Sequence, residues 1–424
     1  MQVKLIHLML AAAFVAVQPS WGGNLPSAPP EQAGMSAERL GRIGTWLKGE
    51  VERKKIPGAV VLVVRQGKVV YHEAFGVQDP ATGAPMAKDS IFRIYSMTKP
   101  IATVAAMAAV EEGRLLLEAP VASYIPAFKD MKVALEKPGV AGAAPAVEMV
   151  PAMRPITVQD LMRHTSGLTY GFFGNTAAKR AYVEAKISAE GDISNAEFAD
   201  RVATMPLGFQ PGSTWDYSYS TDVLGRVVEI VEGKKLSTVL QQRVYGPLGM
   251  TDTAFYVTDP TKQRRLAEPF PDDRVIGIGV DFNDPRIERR AEPAGQGLTS
   301  TAMDYARFVQ ALLNGGQLDG QRVIGPATLA FMASDHLGTG IAKGNLYLPG
   351  PGYGFGLGFA VRTAAGESAY TSTAGEYNWG GAGGTYFWAD PKQQLGVVFM
   401  MQSPKNRGPY RSILRNIVYG AIVQ

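Results

Sequence analysis

Behind Ser36, apolar residues recur at Leu40, Ile43, Leu47 and Val51. That spacing predicts a helix running to about residue 54, with the serine hydroxyl at its N-cap. A continuous apolar run then occupies 59–65 and a more mixed one 68–75, with Gln66-Gly67 between them. Two such runs around a two-residue turn read as a β-hairpin. Residues 96–113 follow, with Ile101, Val104, Ala105, Ala108 and Val110 among many alanines. A helix apolar on nearly every side belongs at the centre of a domain. From 115 to 300 strand signals are sparse and helical ones recur, as at 158–163 and 222–231. The Ala-, Pro- and Gly-rich stretch 138–155 reads as a surface loop. After 352 the pattern returns to strands at 355–362, 384–389 and 395–401. Tyr410, Ile413, Leu414, Ile417, Val418 and Ala421 then mark an amphipathic closing helix. Strands at both ends around a helical middle predict an α/β protein with one sheet built from both termini. The sheet domain would comprise 23–114 and 300–424, and a mainly helical insert 115–299. There is no internal repeat.

The first residues change the picture of where the chain works. Lys4 precedes an apolar run over 5–17 interrupted only by His7, and small residues stand at Ser20 and Gly22. The run is shorter than the roughly 20 residues that cross a bilayer. It predicts a cleaved signal peptide over 1–22 and an exported, periplasmic or extracellular protein of bacterial type. The 424 residues include no cysteine, which excludes disulfides, a thiol nucleophile and lipidation at a cysteine. A net charge of only +4, with acids and bases interleaved, provides no stripe for nucleic acid.

Chemistry emerges by elimination. The four histidines are His7, His72, His164 and His336. No serine sits in a G-x-S-x-G elbow. No H-E-x-x-H and no tight His/Asp/Glu cluster points to zinc. Gly354, Gly356 and Gly358 alternate inside an apparent strand, which suggests close packing rather than phosphate binding. What remains is Ser96-Met97-Thr98-Lys99. If Ser96 opens the buried helix, Lys99 at i+3 lies on the same face, and desolvation would favour the neutral amine that can accept the serine proton. Pro100 is tolerated in a first turn but disfavours helical geometry at Lys99. A second proton-transfer group is offered by Tyr217, presented after the Pro211-Gly212 turn. A third element is Asn378-Trp379-Gly380-Gly381-Ala382-Gly383-Gly384. Its glycines suggest a substrate backbone or acyl group passing close, and a backbone N–H here would join that of Ser96 in an oxyanion hole.

These segments, in this order, resemble the penicillin-recognising serine enzymes: class C β-lactamases, D-Ala-D-Ala carboxypeptidases and, most closely, family VIII carboxylesterases. The likeness spans nearly the whole mature chain. Phe92 to Pro100 looks like that family's nucleophile segment, and His164-Thr165-Ser166-Gly167-Leu168 matches its H-T-S-G-L signature. Gly297-Leu298-Thr299-Ser300-Thr301, continuing to Asp304 and Phe308, is similar to its G-G-L-x-S-T-x-x-D-x-x-x-F stretch. The resemblance implies a β-lactamase/DD-peptidase-like fold, a structural role for His164, and oxyanion donors from the backbone of Ser96 and Ala382. Two departures stand out. Tyr219 replaces the asparagine of the Y-x-N motif. The lysine of K-T-G is absent, and Trp379-Gly380-Gly381 occupies its place, as in family VIII esterases.

Losing a cation that pairs with a carboxylate removes a charge-assisted bond of about 1.5–3 kcal/mol. The resemblance therefore implies hydrolysis of small or medium neutral esters through an acyl-enzyme on Ser96, with no metal or organic cofactor. Whether Lys99 or Tyr217 is the primary base stays open. Competing readings are a β-lactamase or D-Ala-D-Ala peptidase, an acyltransferase, and a non-catalytic penicillin-binding-like protein.

Overall fold

The computed structural model describes residues 23–137, 146–189, 191–273, 284–344 and 346–424. The expected signal peptide, 1–22, lies outside the described residues. Gly58–Arg65 is buried along its whole length, and its two faces belong to different cores. Val60, Leu62 and Val64 join one apolar cluster, whereas Ala59, Val61 and Val63 join another. That two-sided burial explains why the sequence shows an unbroken apolar run instead of alternation. The turn to Lys68–Asp79 is made by Gln66 and Gly67 at φ 51° and 75°, the two positive-φ residues of a type I′ hairpin turn.

The hairpin sits inside an eight-stranded sheet. Its order is Tyr353–Phe355, Ala360–Arg362, Tyr377–Gly380, Tyr386–Asp390, Leu395–Met401, Gly58–Arg65, Lys68–Asp79 and Ala84–Pro85. Every pairing is antiparallel. Ala37–Glu52 and Arg407–Gly420 cover one face with the second cluster. Ser36 caps the first of these helices by accepting the Arg39 N–H. The opposite face carries the larger cluster, including Ala302–Leu313 and the central helix Thr98–Glu111. Twelve of that central helix's 14 residues are buried. It begins at Thr98, so Ser96 lies in the 3₁₀ turn Tyr95–Met97 that leads into it, and Pro100 falls among first-turn residues that need no N–H partner.

Three expectations need correction. Part of the loop expected at 138–155 is a strand: Ala146–Pro151 pairs antiparallel with Lys132–Lys137, because Val133 and Val150 find the core. Residues 138–145 lie outside the described residues. The strand expected at 355–362 is a small hairpin, Tyr353–Phe355 with Ala360–Arg362, turned at Gly358 with φ 94°. Its glycines do serve close packing: a Cβ on Gly356 would lie 2.2 Å from the Met332 carbonyl oxygen, and one on Gly358 would lie 2.7 Å from Thr103 Oγ1. Finally, Tyr377–Gly380 is itself a strand, so the glycine run is the turn between two strands and not a lead-in to one. Among the described residues, no helix is long and apolar enough to cross a membrane.

Candidate active site

Ser96 follows a strained residue. Tyr95 holds φ 45°, a left-handed conformation that costs a non-glycine residue on the order of 1–3 kcal/mol and persists only where packing imposes it. The packing comes from the glycine turn. A Cβ on Gly381 would lie 2.4 Å from the Ile94 carbonyl oxygen, and one on Gly383 would lie 2.9 Å from the Tyr95 ring. Thr385 Oγ1 donates to the same Ile94 carbonyl at 3.2 Å. The nucleophile segment itself therefore makes a close approach to these glycines, and Gly380 and Gly381 also line the cavity. The run lets two backbones touch, and Ser96 and Ala382 line the same cavity.

Lys99 is fully buried, and its Nζ reaches Ser96 Oγ at 3.4 Å. It donates more tightly to the Gly295 carbonyl at 2.7 Å and to the Tyr170 hydroxyl at 3.2 Å. Its Nζ also lies 4.6 Å from the centroid of the Tyr217 ring, a cation–π contact. Behind Gly295 stands Asp222, whose Oδ1 accepts the Gly295 N–H at 2.9 Å. A Cβ on residue 295 would collide with that carboxylate at 2.5 Å, so only glycine fits. Burial raises the Asp222 carboxyl to about 6, although the Lys99 charge pulls it the other way. A buried carboxylate thus fixes the peptide that fixes the lysine.

Tyr217 is buried, and its hydroxyl accepts the Trp379 indole N–H at 3.1 Å. Its contact with Lys99 is through the ring. Tyr219 turns its hydroxyl away to the Ile187 carbonyl, 2.9 Å off, and packs edge-on against Tyr170 at 4.4 Å. His164 lies under Tyr217 at 4.9 Å between ring centroids, with Nδ1 3.2 Å from Ser218 Oγ. Burial, reinforced by the Lys99 charge, holds its pKa well below the usual histidine value. It is a neutral wedge at φ 58° beneath the site, not a base in it. The loop that carries it hangs on Asp160, whose buried carboxylate accepts from Arg154, Arg163, Thr157 and Thr165.

Ser96, Tyr170, Tyr217, Tyr219, Trp379, Gly381 and Ala382 line one cavity of about 450 Å³. The Ala382 N–H has no acceptor among the described residues. The structure thus brings together every candidate named from sequence. It adds Tyr170, the Gly295 carbonyl and Asp222, which sequence reasoning missed. Each lies close to a motif segment but carries no pattern of its own: Tyr170 is the sixth residue after His164, Asp222 the fifth after Tyr217, and Gly295 precedes the G-L-T-S-T stretch by two. Among the described residues, no group of three or more His, Asp or Glu side chains could hold a metal ion.

A helical layer on an antiparallel sheet, with S-x-x-K at the head of the central helix, defines a serine β-lactamase-like protein. The Beta-lactamase family profile matches residues 43–421, and the chain belongs to that family. It is 32% identical to Esterase EstB of Burkholderia gladioli over 410 residues, covering 91% of this chain and 96% of that one. It is 34% identical to the lovastatin esterase of Penicillium rubens over 306 residues, covering 69% and 72%. Among solved structures it matches EstCE1, described as a hydrolase with promiscuous acyltransferase activity, at 29% identity and a TM-score of 0.75. That match covers 90% of this chain and 99% of the other. Its relatives thus place it beside the esterases of the superfamily.

Proposed function

We propose that the protein is an exported serine carboxylesterase that acts through an acyl-enzyme on Ser96. The observation that carries the reading is the Lys99 Nζ to Ser96 Oγ contact of 3.4 Å at the wall of an aromatic cavity. In the acylation half, Ser96 Oγ bonds to the ester carbonyl carbon and gives up its proton within the Lys99–Tyr217 pair. The carbonyl oxygen becomes an oxyanion held by the N–H groups of Ser96 and Ala382. When the tetrahedral centre collapses, the bond to the alkoxide breaks and the alkoxide takes the proton, leaving the acyl-serine. Water then repeats the sequence, releasing the acid and restoring Ser96. The Trp379–Tyr217 hydrogen bond supports Tyr217 as the group facing the leaving oxygen, because its hydroxyl oxygen is already oriented.

The test is turnover of p-nitrophenyl butyrate and of a chromogenic cephalosporin by wild type and Ser96→Ala. Ester turnover should fall by at least about 10³-fold in Ser96→Ala. Turnover that persists in the variant would remove Ser96 from the reaction. Fast cephalosporin turnover beside poor ester turnover would replace the esterase reading with the β-lactamase one.

A further inference from the structure

Two guanidinium groups, Arg407 and Arg411, line the cavity that holds Ser96, and neither has a carboxylate partner among the described residues. Both stand on the closing helix, one turn apart, so their like charges oppose each other. They also occupy its first two turns, where the positive end of the helix dipole disfavours cations and where no acidic residue offsets them. Among the described residues, Arg407 donates only to the Pro404 carbonyl, at 3.0 Å. Arg411 Nη2 donates to the carbonyls of Gly381 and Thr385 at 3.0 and 3.2 Å, and its guanidinium lies 4.8 Å from the Tyr386 ring. Its Nε is enclosed and has no acceptor among the described residues. A Cβ on Gly380 would fall 2.3 Å from its Nη2, so the strand gives up a side chain to admit the guanidinium. Burial, with the Arg407 charge acting in the same direction, lowers the Arg411 pKa to about 10.

The fold thus carries two mutually repelling cations at the wrong end of a helix, with free donors beside an apolar cavity. A cavity-borne anion would relieve each of these costs at once. A carboxylate does so best, since a guanidinium fork matches its two oxygens. We infer that the ester this site takes carries a carboxylate, bound by Arg407 and Arg411. The cation missing from the Trp379 strand is supplied instead from the closing helix. This inference rests on the esterase reading above and replaces the neutral ester expected from sequence.

The experiment compares kcat/KM for p-nitrophenyl butyrate with that for mono-p-nitrophenyl glutarate, carboxylated on the acyl side. It likewise compares phenyl butyrate with 4-carboxyphenyl butyrate, carboxylated on the alcohol side. Wild type should prefer at least one carboxylated ester by tenfold or more, and added salt should weaken that preference. The ratio should fall towards one in Arg407→Gln, which touches no backbone of the glycine turn, and only partly in Arg407→Lys. A ratio at or below one for both pairs in wild type, or a ratio that Arg407→Gln leaves unmoved, overturns the inference while the esterase reading stands. Should neither neutral ester be hydrolysed, the esterase reading fails on its own. Calorimetric binding of monoethyl glutarate to Ser96→Ala then decides the anion site: binding tenfold weaker in Ser96→Ala/Arg407→Gln supports it, and absent or unchanged binding rejects it.

Discussion

Arg411 and Arg415 stand one turn apart on the closing helix, and the fold treats them in opposite ways. Arg415 points into the core, where it and Glu376 are both fully buried. It binds that carboxylate through two nitrogens at 2.8 and 3.0 Å and also donates to the Tyr386 hydroxyl. Tyr353 and Asn378 donate to the remaining lone pairs of Glu376. Among the described residues, Arg411, at the cavity end, meets only backbone carbonyls and an aromatic face. Where the cation holds the structure together, a carboxylate and its supporting hydrogen bonds are built in. Where the cavity begins, the acceptor is left for something else to bring.

The comparison breaks most sharply at Arg415. Replacing it with Met should destabilise the protein by about 3–5 kcal/mol, because Glu376 is left charged and unpaired in the core. Chemical denaturation of Arg415→Met and of Arg415→Met/Glu376→Leu measures this. The double variant should recover much of the loss. A single variant within about 1 kcal/mol of wild type would mean that the pair is not a structural ion pair. Asp222 offers the next largest effect. Its folded carboxyl titrates at about 6 against an ordinary 3.8. The native state therefore binds the extra proton between those values, and stability contributed by this group rises as pH falls through 6. Above pH 6 the buried anion costs about 3 kcal/mol, the free energy that separates the folded carboxyl's proton affinity from the ordinary one. Asp222→Asn should thus be more stable than wild type at pH 8, with the advantage fading towards pH 4, and should lose ester turnover because Lys99 loses its nearby anion. His164 acts in the opposite sense. Its depressed pKa withdraws stability below its ordinary 6.5, but it does so in wild type and variant alike. An advantage independent of pH would refute the assignment. Arg411→Met should cost about 1 kcal/mol, the loss of two hydrogen bonds to carbonyls partly offset by relief of repulsion from Arg407. A loss as large as that of Arg415→Met would erase the distinction between the two arginines.

What could be read from sequence divides along the same line. The hairpin at Gly58–Arg65, the buried helix after Ser96 and the amphipathic closing helix were all legible, because each leaves a periodic apolar trace. Ser96, Lys99 and Tyr217 were legible as chemistry-bearing types beside turns. Tyr170 and Asp222 were not, because a tyrosine in a loop and an acid in a helix look ordinary until Gly295, more than 70 residues beyond Asp222, brings its carbonyl to Lys99 and its N–H to Asp222. The packing role of the glycine run was hidden for a related reason. Sequence shows that space is needed at Gly380, Gly381 and Gly383, but only tertiary packing shows that Arg411, Ile94 and Tyr95 fill it. Strands of two or three residues, such as Tyr353–Phe355, are too short to leave a period.

The smallest expected effect bears on the residue that replaced the missing lysine. Trp379 donates its indole N–H to the Tyr217 hydroxyl while its ring packs 5.3 Å from Tyr217 and 5.3 Å from Phe355. Phenylalanine keeps both ring contacts and loses only the donor. One neutral hydrogen bond contributes about 0.5–1.5 kcal/mol. If that bond orients the Tyr217 oxygen for the leaving group, it acts in the transition state more than in the bound ester, so Trp379→Phe should lower kcat by roughly two- to tenfold and leave KM nearly fixed. Lysine at the same position supplies a charged donor instead. Trp379→Lys should therefore restore kcat relative to Trp379→Phe and add a third cation to the cavity wall, strengthening selection of carboxylated esters. A rise in KM alone for Trp379→Phe would show that the indole merely walls the cavity. In that case Arg407 and Arg411 would be the polar groups on that wall that engage the substrate.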